Sequence, residues 1–149
     1  MATAWVKGVQ SKGIGTSPKH FAANSQETNR MVSNSVVDER ALREIYLRAF
    51  EKCVKNSKPR TVMCAYNLVN GEYCSENDCL QNKVLREEWG FDGLVMSDWN
   101  AGKDPVASIK AGNDMLQPGQ QRQREALLAA AKDGSLSMDL INLSVKRPL

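Results

Sequence analysis

The residue best placed for chemistry is Asp98. In Gly93-Leu94-Val95-Met96-Ser97-Asp98-Trp99 an apolar stretch stops abruptly at a serine, an aspartate and a tryptophan. Uninterrupted apolar stretches suit a strand buried on both faces, as in a parallel sheet covered by helices. A carboxylate at the C-terminal end of such a strand lies where α/β barrels carry their reactive groups. The plainer alternative is an aspartate that caps the next helix. Two other apolar segments end in polar groups of similar promise: one at Lys19-His20, the only histidine, and one at Met63-Cys64-Ala65-Tyr66-Asn67.

These groups need elements to hold them. The pattern predicts an amphipathic helix over Met1–Ser11, with Trp5, Val6 and Val9 on one side, then a short strand over Gly13–Ser17 weakened by two glycines. Phe21–Val37 reads as a long polar segment, too hydrophilic for core, and long loops in compact domains are commonly functional or disordered. Asp38 is placed to cap a helix whose apolar face is Leu42, Ile45, Tyr46, Ala49, Phe50 and Cys53, closed off by Pro59. A strand over Thr61–Tyr66 and a helix over Leu80–Glu88, ended by Gly90, precede the Asp98 strand. Asp104-Pro105 starts a further helix, Asn113–Leu116 reads as a short strand, and helices follow over Gln123–Lys132 and from Ser137 to Val145. Four strands alternating with helices imply parallel βαβ units. A complete eight-fold barrel takes about 250 residues, so 149 residues hold about half of one.

Composition excludes several classes. The chain is 42% hydrophobic and 25% charged with a formal charge of +3, ordinary for one globular domain. Its basic residues alternate with acids, so no basic stripe points to nucleic acid. No apolar run approaches a membrane span, and the first residues lack a signal-peptide core, which leaves the compartment unassigned. Cys53, Cys64, Cys74 and Cys79 fit no zinc pattern, and no metal or other cofactor is implied. Cys53 and Cys64 read as buried thiols. Cys74 and Cys79 fall in a polar loop, either paired in an oxidising compartment or free.

The motifs Lys19-His20-Phe21-Ala22-Ala23-Asn24, Glu27-Thr28-Asn29-Arg30, Trp89-Gly90-Phe91-Asp92-Gly93, Ser97-Asp98-Trp99 and Lys110-Ala111-Gly112-Asn113-Asp114 stand in order along the chain. Together with Glu39–Leu47 they resemble family 3 of the glycoside hydrolases, close to its β-glucosidases, over nearly the whole length. That resemblance implies a partial (β/α)8 barrel and retaining hydrolysis of terminal non-reducing β-D-glucosyl residues. Asp98 would be the nucleophile that forms a covalent glycosyl ester. It also implies that Lys19 and His20 hold sugar hydroxyls, that Tyr66 and Met63 line the same subsite, and that Trp99 is the apolar face for the pyranose. Arg30 and Glu27 would contact the sugar or brace the Lys-His pair. Met63 and Trp99 retain the alternative of plain packing.

Two features depart from the family pattern. No counterpart of its earlier sugar-binding aspartate and arginine precedes Lys19, and no second carboxylate has a claim to the acid/base role. The expectation is a single partial N-terminal domain, residues 1–149, without the first barrel strands or the following domain that supplies the acid. Its partners would be a β-glucoside or short β-linked oligosaccharide and the remainder of the enzyme chain. Half a barrel leaves two sheet edges open, so marginal stability or self-association is expected. The alternatives are a β-xylosidase of the same family or a sugar-binding fragment without turnover. A β-N-acetylglucosaminidase is disfavoured, because Phe21-Ala22-Ala23-Asn24 replaces the histidine-bearing loop of that subgroup.

Overall fold

A computed structural model describes residues 1–148. Its order is α1 (Ala2–Gln10), β1 (Asn34–Ser35), α2 (Glu39–Ala41), a π-helical segment (Leu42–Tyr46), α3 (Arg48–Ser57), β2 (Thr61–Met63), β3 (Leu68–Val69), β4 (Glu72–Tyr73), a second π-helical segment (Cys79–Glu88), β5 (Leu94–Met96), α4 (Pro105–Lys110), α5 (Gln121–Asp133) and α6 (Met138–Lys146). The fold is α/β with parallel strands and covering helices, the class that the alternation predicts.

The central wall is a parallel ladder of β2 and β5, with Val62 opposite Val95 and Met63 opposite Met96. Val62 and Val95 are fully buried, as expected of a strand pair covered on both faces. The two outer strands expected from sequence, Gly13–Ser17 and Asn113–Leu116, form only fragments of ladder. The first runs beside β2 through Thr61 N–H to Thr16 O (3.1 Å), Met63 N–H to Pro18 O (3.2 Å) and a bridge between Phe21 and Cys64. The second touches β5 through a bridge of Met115 with Met96. With no further strand among the described residues on their outer sides, and with Gly13 and Gly15 in the first and Pro18 at its end, neither settles into regular strand geometry. Wall order nevertheless follows chain order: residues 16–21, β2, β5, 113–116.

The polar reading of Phe21–Val37 holds only for its middle. Phe21 and Ala22 are completely buried, and Phe21 packs edge-on against Phe50 (5.2 Å between centroids) and Trp89 (5.9 Å). Further along, β1 pairs with β3, and β3 turns back into β4. This small sheet stands outside the main wall.

Asp38 caps its helix as expected, accepting from Ala41 N–H at 2.9 Å. The apolar face differs from the expected one. The π-helical turn over Leu42–Tyr46 carries more residues per turn, so the face slips in phase. Leu47 and Val54 are thereby buried, while Ile45 is left 68% exposed and Tyr46 lies at the surface. Of the two alternatives for Cys74 and Cys79 the structure has the free one, though Cys74 is not in polar surroundings. Cys74 is fully buried with its thiol directed at Ala22 O (3.4 Å), Cys79 faces solvent, and all four cysteines are free thiols. Burial pushes the Cys74 thiol up to about 12 and the Cys64 thiol well above the ordinary range. Among the described residues no helix is long and apolar enough to cross a membrane.

Candidate active site

The C-terminal ends of three neighbouring wall segments converge on Asp98. It follows β5 directly, beyond the completely buried Ser97. Ser97 Oγ accepts from Gln117 N–H at 2.8 Å, and Asn100 N–H donates to Gln117 O at 2.9 Å. The strand end is thereby tied to the segment after Met115, which fixes where the carboxylate emerges. Asp98 Oδ1 accepts from Trp99 N–H at 2.7 Å, and Oδ2 faces His20 Nε2 at 3.4 Å. The Asp98 side chain is 13% exposed, so it is neither sealed in packing nor freely solvated.

His20 comes from the far side of β2. Strands two places apart in a sheet lie about 9–10 Å from each other, so the contact spans the mouth of a curved wall. Phe21 is the anchor beneath it: Phe21 N–H donates to Met63 O at 2.9 Å and Ala65 N–H to Phe21 O at 2.7 Å. Tyr66, at the end of the β2 segment, is buried beside the same carboxylate. Its phenol is raised above the ordinary tyrosine range, first by burial, then by the Asp98 charge and a hydrogen-bonding interaction with it. Tyr66 therefore stays protonated at neutral pH and can donate to the carboxylate. The Arg30 guanidinium stacks on the Tyr66 ring at 4.7 Å and is held by Glu27 at 2.7 Å, with Asn24 donating to Glu27 at 3.2 Å.

The structure thus brings together Asp98, His20, Tyr66 and Arg30. Trp99 stands beside them 60% exposed, available as a flat apolar surface. Met63 is half-buried on the wall. Lys19 is exposed and borders a different concavity, a groove of about 600 Å³ between α1, α3 and residues 15–19. Arg30 meets the site through Tyr66, whereas bracing of the Lys-His pair was the alternative raised from sequence. Chemically, one carboxylate oxygen is left with spare acceptor capacity in an environment of donors, which suits a nucleophile or anionic stabiliser.

Sequence reasoning assigned no role to Asp114, the other aspartate at the wall. Its side chain is wholly buried. Oδ2 accepts from Arg86 (2.7 Å) and from Val95 N–H (2.8 Å), and Oδ1 from Arg147 (2.6 Å). Arg86 also donates to Gly93 O (3.1 Å) and Gly112 O (2.9 Å), locking the start of β5 to the end of α4. An acid inside the expected short strand Asn113–Leu116 was the available signal.

The sequence profile described as the glycosyl hydrolase family 3 N terminal domain matches residues 1–149. The thermostable β-glucosidase B of Acetivibrio thermocellus is 49% identical over 150 residues, covering 100% of this chain and 20% of that protein. An exo-α-(1→6)-L-arabinopyranosidase of Bifidobacterium longum is 50% identical over 132 residues, covering 89% of this chain and 17% of that protein. Among solved structures, β-glucosidase 3B from Thermotoga neapolitana in complex with glucose superposes with a TM-score of 0.94 at 54% identity. That match covers 97% of this chain and 21% of that one. The chain therefore spans about a fifth of the length of the relatives it matches.

Proposed function

The chain belongs to glycoside hydrolase family 3, and from that premise we propose that it carries the nucleophile and part of the sugar subsite of a retaining β-glucosidase. Asp98 Oδ2 attacks the anomeric carbon, the bond to the aglycone oxygen breaks, and a glycosyl-Asp98 ester forms. Water then releases the sugar with net retention. The contact that carries this reading is Asp98 Oδ2 with His20 Nε2 at 3.4 Å, beside the buried, protonated Tyr66. Donors on one side hold the carboxylate in place. His20 binds sugar hydroxyls, Trp99 underlies the ring, and Arg30 and Met63 complete the subsite. The acid that protonates the leaving oxygen lies outside residues 1–149 in this reading, and the substrate is a β-glucoside or short β-linked oligosaccharide.

A substrate with a good leaving group needs little protonation, so trapping does not depend on that acid. Incubation with 2,4-dinitrophenyl 2-deoxy-2-fluoro-β-glucoside followed by peptide mapping should place the label on Asp98. Label elsewhere with Asp98 untouched would remove the assignment. The L-arabinopyranosidase relative supports a second reading of the sugar, because arabinopyranose, like xylose, lacks the hydroxymethyl arm of glucose. Rates on matched aryl glucoside, xyloside and arabinopyranoside distinguish these.

A further inference from the structure

The loop that leaves Asp98 and Trp99 is held from both sides. On the α5 side, Asn100 N–H is bonded to Gln117 O, and Gln120 Nε2 donates to Asn100 Oδ1. On the other side stands Glu76, a residue of the β4-to-helix connection with no place in the chemistry above. A single oxygen, Glu76 Oε1, accepts from Lys103 N–H and from Asp104 N–H, the latter at 2.9 Å. Lys103 also places its ammonium over the Tyr73 ring at 5.4 Å.

Gly102 fills the remaining gap. Its φ is +77°, and a Cβ there would collide with Ser75 Oγ and lie 2.7 Å from Glu76 Oε1. Only glycine lets the loop backbone press this closely on the Ser75-Glu76 corner. Asp104 then caps α4, accepting from Val106 N–H at 2.8 Å and Ala107 N–H at 3.1 Å. Charge-assisted bonds from two successive backbone N–H groups to one carboxylate are strong and directional. The small outer sheet is thereby coupled to the loop next to the nucleophile.

We propose that Glu76 is a positioning residue that clamps the loop Trp99–Asp104 and so fixes Trp99 and the Asp98 carboxylate for attack. The catalytic part of this inference rests on the β-glucosidase reading; the clamp itself does not. The three tryptophans, Trp5, Trp89 and Trp99, give the readout. With the whole chain labelled with 5-fluorotryptophan, ¹⁹F lines are assigned by single Trp→Phe substitutions. In Glu76→Ala the Trp99 line should shift or broaden while the Trp5 and Trp89 lines hold. Glu76→Gln, whose amide oxygen still accepts, should restore it.

The rate of Asp98 labelling at saturation by the fluorinated aryl glucoside should fall at least tenfold in Glu76→Ala. The half-saturating concentration should change less than threefold, and Glu76→Gln should recover to within threefold of wild type. Gly102→Ala approaches the same clamp from the loop side. It should reproduce the Trp99 signature should Glu76→Ala not fold. An unmoved Trp99 line in both variants overturns the clamp, as does a change shared by all three tryptophans in both. A moved Trp99 line with an unchanged labelling rate overturns the catalytic role. If the wild type labels elsewhere or not at all, the β-glucosidase reading fails, and the ¹⁹F lines alone still judge the clamp.

Discussion

Two aspartates stand at the same wall and are treated in opposite ways. Asp114 is wholly buried, with both oxygens engaged by two guanidinium donors and the backbone N–H of Val95. Asp98 emerges from the strand end with one oxygen on Trp99 N–H and the other facing a histidine at 3.4 Å. A buried carboxylate with both oxygens held by cations and fixed donors is structural: it holds the start of β5 to the end of α4. A carboxylate with spare acceptor capacity is available to react. The difference between the two lies in how much acceptor capacity remains, since both are acids on one short stretch of sheet.

The largest effect should come from Asp98, the proposed nucleophile. Asp98→Asn should abolish labelling by the fluorinated glucoside, a loss on the order of 10⁴-fold or more, with the melting temperature of the chain nearly unchanged. Intact-mass spectrometry and calorimetry on the same sample check both halves. Asp114→Asn should do the converse. It leaves Arg86 and Arg147 without their counter-charge in a buried setting, and breaking such pairs costs about 3–5 kcal/mol. Urea titration should show that loss, while whatever fraction remains folded still labels at Asp98. If Asp114→Asn abolished reactivity in folded protein, the division of labour would be wrong.

A smaller effect sharpens the electrostatic side. The Tyr66 phenol is raised by burial and by Asp98. A group raised on folding adds stability that is complete below the ordinary tyrosine pKa and is lost as pH rises through the folded value. Ultraviolet titration of the wild type against Tyr66→Phe should find Tyr66 ionising above that range. Asp98→Asn should lower it again, leaving the burial component. The smallest effect belongs to the surface, where Arg43 holds Glu88 at 2.7 Å and keeps its carboxyl below the usual range. That stability is present above the ordinary carboxylate pKa and disappears as pH falls through the lowered value. Arg43→Met should cost no more than about 1 kcal/mol at neutral pH, and less once the Glu88 carboxylate is protonated.

Much of the wall was legible. Periodicity and caps located the helices through Asp38, Asp104 and Ser137, and the abrupt end of Leu94–Met96 pointed to Asp98. The rest was hidden for physical reasons. The π-helical turn leaves no mark in a pattern read at 3.6 residues, so the expected apolar face includes Ile45 and omits Leu47. The β3–β4 hairpin is only two residues on each arm, although Asn70-Gly71, both with positive φ, carries the signal of a two-residue turn. Fully buried Phe21 and Ala22 were masked by hydrophilic neighbours. Among the candidate site residues, the resemblance gathered His20, Tyr66, Trp99 and Asp98. The stacking of Arg30 on Tyr66 and the grip of Glu76 on the loop are through-space contacts that no spacing announces.

His20 and Asp98 sit on segments with β2 between them, and their side chains meet only because the sheet bends. Their separation is therefore a gauge of curvature for the whole arc. Anything that unrolls the arc, such as mild heating, a truncated flanking helix or the withdrawal of a neighbouring strand, will part the two groups while the aromatic packing around Phe21 is still intact. Competence should fade ahead of melting.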